Sequence, residues 1–213
     1  MREDLTMLDD ITIDLSGIEG LFDKHLPDPD LLEFYRNCND RIIIWNNGID
    51  DSFCSIGYQI MRYNMEDKDK PVEDRTPIKL FINSNGGELD ATFYVMDIIA
   101  ASKTPVYTIG MSRCYSAGGL ILMGGHKRFI FKNTKFLLHD GAVGDVNSMG
   151  KFSDHADFVK ESEKRMMAYV TSHTNITEKE YSDNYRRDWY MFADEIIARG
   201  VADKIIESVD EII

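Results

Sequence analysis

The 213-residue chain predicts an α/β domain built on a mostly parallel sheet. Three observations carry that prediction. Between residues 78 and 139, short apolar strands alternate with helical stretches, in the order that βαβ units require. The connection NSNGGE (83–88) places two adjacent glycines between a strand and a helix, where a tight turn needs positive φ. The composition, 43% hydrophobic and 29% charged, is that of an ordinary globular protein, and the length allows one well-buried domain or two small ones.

In chain order, residues 1–29 begin MREDLTMLDDITIDL and end in the PDPD turn. They are acidic and poor in periodic apolar signal, so they read as an N-terminal arm, with the domain proper spanning 30–213. They also lack the basic start and apolar core of a signal peptide. A short helix follows at Leu31 to Arg36, then a strand RIIIW (41–45) and a helical stretch around 51–64. The charged run EDKDKPVEDRTP (66–77) predicts a surface loop. IKLFIN (78–83) is a strand, and NGGE leads into a helix reaching about Ser102. Leu89, Phe93, Met96 and Ala100 fall on one face of that helix and Asp90 and Asp97 on another.

PVYTIGM (105–111) is the next strand, Ser116 to Met123 the next helix, and RFIF (128–131) and KFLLH (135–139) two more strands. A long helix covers about Ser153 to Ser172. Its stripe of Ala156, Val159, Met166 and Val170, interrupted by Glu163, suits packing on another helix, either of this domain or of another subunit. Near the end, ADEIIAR forms a helix closed by Gly200.

Charge and motif content exclude several classes. A net charge of −13 with no basic cluster argues against a nucleic-acid partner. The apolar stretches are too short to span a bilayer. Three cysteines (Cys38, Cys54, Cys114) without CxxC spacing predict a reducing, cytoplasmic setting and no zinc site. No HxxxH or HxH spacing suggests a metal, and neither GxGxxG nor GK[ST] is present, so no cofactor is expected.

Ser116, in GMSRCYSAGGLILMGG (110–125), stands where a strand gives way to a helix. It can be a helix N-cap or a nucleophile presented at a helix start. Gly118 and Gly119 would admit a substrate or another backbone. His139 ends an apolar strand and can be a structural histidine or a base. Asp140 adjoins it, but neighbours on a strand point to opposite faces, so a distant carboxylate suits imidazole orientation better. Asp188 in RRDWYMF is the candidate.

FINSNGGELDATFYVMDII, TIGMSRCYSAGGLILMGGHKRF and NTKFLLHDG together resemble the proteolytic subunit of Clp protease, and RRDWYMFADEIIARGVAD is similar to the family's closing segment. The resemblance implies a ClpP/crotonase-type fold of repeated ββα units with a protruding handle helix, here 153–172. It implies Ser116 as nucleophile, His139 as general base and Asp188 as orienting carboxylate. Gly87 and Ala117 match the positions whose amides form the family's oxyanion hole. It further implies peptide or protein substrates, heptameric rings stacked through the handle, and an AAA+ unfoldase as partner. Asn85 stands where the family usually has proline, Asp140-Gly141 where Gln-Pro is common, and Lys79 where an aromatic residue helps dock the ATPase. A non-catalytic ring subunit, a crotonase-like acyl-CoA enzyme and a phage-type head-maturation protease are the alternative readings.

Overall fold

The computed structural model describes residues 28–144 and 146–212, so most of the expected N-terminal arm lies outside the described residues. The chain divides between Asn37 and Cys38 into two compact units. Helix α1 (Pro29–Asn39) belongs mainly to the first. Proline occupies its first position, and the Asp28 carboxylate accepts from the Asp30 amide at 2.9 Å.

The second unit is an α/β domain. Its elements are β1 (Ile42–Trp45), α2 (Cys54–Glu66), β2 (Ile78–Ser84), α3 (Leu89–Ala101) and β3 (Val106–Tyr115). They continue with α4 (Ala117–Met123), β4 (Lys127–Phe131), β5 (Lys135–Leu138), α5 (Met149–His173) and α6 (Glu178–Asn184). The last are β6 (Trp189–Met191), α7 (Ala193–Ala198) and β7 (Lys204–Ile206). The strands run β1-β2-β3-β4-β7, all parallel, and β5 pairs with both β3 and β6. Among the described residues only the β5–β6 pair is antiparallel.

The alternation of β2 decides which face is the core. Ile78, Leu80, Ile82 and Ser84 are buried, and the residues between them are half-exposed. α2, α3 and α4 close over that face. The opposite face carries a smaller cluster of Ile109, Ile206 and Ile212 flanked by Phe81, Tyr107, Phe129 and Phe131.

β3 outruns its sequence signal by four residues, and the extension has a function in the topology. Its first half, Tyr107–Gly110, pairs with β4. Its second half, Arg113–Tyr115, pairs with β5. An irregularity opposite Ile82 and Ser84 of β2 separates the two halves.

Other departures have physical causes. The buried face of α3 is Ala91, Thr92, Val95, Met96 and Ile99, whereas Leu89 and Ala100 are exposed. α3 is apolar on most sides, so packing against α2 and α4, and not periodicity, selects the inner face. The charged loop is anchored: Asp67 is fully buried, accepting from Arg41 and from Thr104 Oγ1 (3.2 Å) and paired with Lys70 Nζ at 2.9 Å. Those partners hold its carboxyl far below the usual range, the Arg41 hydrogen bond most of all.

In α5 the stripe divides. Val170 is fully buried and Met166 packs on the domain's own core, whereas Ala156 and Val159 are half-buried; outside the stripe, Met149 and Phe152 near the start of the helix are exposed. Gly200 closes α7 at φ 64°, with Val201 N–H donating to Ile196 C=O and Gly200 N–H to Ile197 C=O.

Candidate active site

Ser116 sits between the last residue of β3 and the first of α4, with no linker. Tyr115 is paired with Leu137, and the Ser116 amide donates to Leu137 C=O at 2.8 Å. Immediately afterwards, Gly119 and Leu120 amides donate to Ser116 C=O (2.9 and 3.2 Å). A single residue must therefore turn the chain from strand to helix. Ser116 does so at φ 52°, ψ −123°, a region that costs a non-glycine residue about 1–3 kcal/mol. Its side chain makes no capping hydrogen bond, so the N-cap reading is not what holds it there.

The turn Gly86-Gly87 packs directly on this corner. A Cβ on Gly86 (φ 91°) would lie 2.7 Å from Ser116 Cβ and 3.0 Å from Ala117 N, so only glycine fits. Ile49 bridges Gly87 in parallel fashion: Ile49 N–H donates to Gly86 C=O and Glu88 N–H to Ile49 C=O, both at 2.9 Å. The flanking groups are thus spent on Ile49, which leaves the Gly87 amide facing the other way. Ala117 opens α4, so its amide has no intrahelical acceptor.

Of the two purposes open to Gly118 and Gly119, the structure shows the approach of another part of the backbone. A Cβ at Gly118 would lie 3.0 Å from Ser84 Cβ, and one at Gly119 2.5 Å from the Phe136 ring. They let α4 approach the chain's own β2 and β5.

His139 follows β5 and is half-buried. The β5–β6 register runs Phe136–Met191, Leu137–Tyr190, Leu138–Trp189, and its continuation sets His139 opposite Asp188. Asp188 Oδ1 lies 3.8 Å from His139 Nδ1, an electrostatic contact longer than a hydrogen bond. Catalytic hydrogen bonds are commonly loose without substrate and tighten in the complex. The strand β6 that follows Asp188 is held by its surroundings: Met191 is buried, and Arg199 stacks over Trp189 at 5.3 Å while pairing with Glu180. Asp140 is exposed, and its charge acts on Tyr181 and Arg186.

The fold thus brings Ser116 after β3, His139 after β5 and Asp188 before β6 to neighbouring rows of the sheet, with Ala117 and the Gly86-Gly87 turn beside the serine. Cys114, two residues before Ser116, offers no competing thiolate, because burial pushes its thiol up to about 12. Sequence reading missed the bracing by Ile49 and the steric demand at Gly86. The NNGI segment (46–49) carries no periodic signal that would reveal the first. Among the described residues no His/Cys/Asp/Glu group is arranged to hold a metal, and no helix is long and apolar enough to cross a membrane.

The model of the Clp protease family matches residues 32–209. The chain is 31% identical over 133 residues to the ATP-dependent Clp protease proteolytic subunit 2 of Treponema pallidum (strain Nichols), covering 62% of this chain and 67% of that one. It is also 31% identical over 138 residues to the protein of the same name from Treponema denticola, covering 64% and 69%.

Proposed function

From the premise that this chain belongs to the Clp protease family, we propose that it is a serine endopeptidase using Ser116, His139 and Asp188. The observation that best supports this reading is the antiparallel β5–β6 register. It sets Asp188 against His139 beside a serine held in a strained strand-to-helix corner.

Asp188 faces Nδ1, which favours the tautomer protonated there and leaves Nε2 free as the base. Nε2 takes the Ser116 proton as Oγ attacks the peptide carbonyl. The Gly87 and Ala117 amides receive the developing oxyanion. The imidazolium returns its proton to the departing amine, and Asp188 stabilises its charge meanwhile. Water, activated by the same imidazole, then hydrolyses the acyl-enzyme.

Substrates are unfolded chains or peptides, cut within a ring assembly of this subunit and supplied by an AAA+ unfoldase. The exposed apolar residues of the outer half of α5 fit a second copy, and the relatives' names include ATP dependence. Three free cysteines fit a cytoplasmic setting. Labelling with a fluorophosphonate and locating the adduct by mass spectrometry tests the reading. The adduct is expected on Ser116, and a folded protein that is labelled elsewhere or not at all refutes it.

A further inference from the structure

Asp188 has two carboxylate oxygens, and they face different neighbours. Oδ1 looks toward His139 Nδ1 at 3.8 Å, and Oδ2 accepts a long hydrogen bond from the Tyr190 hydroxyl at 3.4 Å. Residues two apart on a strand share a face, so β6 presents Asp188 and Tyr190 on one side.

The register extends this arrangement across three strands. Tyr115 of β3, Leu137 of β5 and Tyr190 of β6 lie in one row. The next row on that face holds His139 and Asp188. The two tyrosine rings meet edge to face, with centroids 5.8 Å apart and planes at 84°. Leu137, between them in the row, is buried. The Tyr190 ring is thereby braced against Tyr115, whose next neighbour in the chain is Ser116.

Asp188 needs such a brace, because its side chain is 60% exposed and would otherwise sample several rotamers. We propose that Tyr190 is a positioning residue for the reaction. Its hydroxyl holds Asp188 Oδ2 so that Oδ1 faces His139, and Tyr115 fixes the ring that carries the hydroxyl. This inference rests on the serine-peptidase reading above. The nearby Asp188 charge, followed by partial burial, raises the Tyr190 phenol above its ordinary value, as the contact requires.

The test uses the full-length protein in its native assembly. Fluorophosphonate labelling of Ser116 comes first. Absence of labelling in the wild type overturns the peptidase reading and this inference with it. Once labelling is established, Tyr190→Phe tests the inference alone, since it removes the hydroxyl and keeps the ring. On a fluorogenic peptide, kcat is expected to fall about 5–20-fold with KM within about two-fold. In an Asp188→Asn background the same change is expected to have no further effect, because the group it positions is already gone. An unchanged kcat in the single variant, or equal losses in both backgrounds, overturns the proposal. Ring-labelled tyrosine followed by NMR supplies a readout that does not need Tyr190→Phe to fold. Tyr190 is expected to titrate at lower pH in Asp188→Asn than in wild type, and an identical titration overturns the contact.

Discussion

At the scale of single residues, Ser116 combines the proposed role of nucleophile with an unfavourable backbone, and substitutions separate the two. Ser116→Ala keeps a Cβ and so keeps the strain. It is expected to lower peptidase activity by ~10³-fold or more while stability stays near wild type. Ser116→Gly is expected to be equally inactive but more stable than the alanine variant by about 1 kcal/mol, because glycine accepts φ 52° freely. Urea denaturation of the two variants checks this, and equal midpoints would show that the corner is unstrained. The two aspartates near the base are distinguished in the same way. Asp188→Asn is expected to cost ~10²-fold or more in kcat, and Asp140→Asn less than about 3-fold. The reverse ranking would assign the orienting role to Asp140.

At the scale of elements, the Arg41–Asp67 pair ties the start of β1 to the end of α2, and Thr104 joins it from the loop before β3. Replacing Asp67 by Asn leaves the buried Arg41 with only the more exposed Glu66, at 3.7 Å, as counter-charge, expected to cost about 3 kcal/mol. The sign of the pH effect follows from the direction of the shift. Asp67 is held below its unfolded value, so its contribution is complete above about pH 4 and disappears as pH falls toward its folded value. The stability gap between wild type and Asp67→Asn is expected to be constant from about pH 8 to 5 and to narrow below about 4. A constant gap down to pH 2, measured by denaturant titration, would contradict the assigned cause.

Helix α5 behaves as two segments over its 25 residues, about 38 Å. Val170 belongs to the domain core, so a charge there is expected to unfold the chain and says nothing about assembly. Phe152 and Val159, one heptad apart on the outer half, are the residues that address it. Glutamate at both is expected to reduce a stacked assembly to single rings with the fold intact, read by sedimentation velocity and circular dichroism.

At the scale of the whole molecule, the expected particle is much larger than the 24.4 kDa chain. In the proposed ring assembly, access is expected to depend on a pore. Short unstructured peptides are expected to be cleaved slowly without ATP, and a stable folded reporter only when an AAA+ unfoldase and ATP are added. Rapid digestion of the folded reporter by this protein alone would show that the active sites are not enclosed.

Much of this arrangement was legible in the sequence because it is local. Alternating strands and helices, the glycine pair before α3, the serine after β3, the histidine at the end of β5 and Gly200 after α7 are each set by a few neighbouring residues. Even the strand-parity argument against Asp140 needs only the two-residue period of a pleated chain. What the sequence could not announce depends on contacts between distant segments. β6 and β7 are three residues each, too short to show a period, yet β6 alone sets Asp188 against His139. The inner face of α3 was misread because a helix apolar on most sides takes its orientation from what packs on it. The strain at Ser116 and the role of Gly86 arise only when β3, β5 and the NGG turn converge on one corner. By itself, the sequence determined the order of the longer strands and helices and which residues are candidates for the chemistry, since both are written in local pattern. Tertiary structure decided which carboxylate lies against the imidazole and which half of α5 remains outside the core. Those outcomes are settled by register and packing between residues 50 or more positions apart in the chain, such as Leu137 and Tyr190.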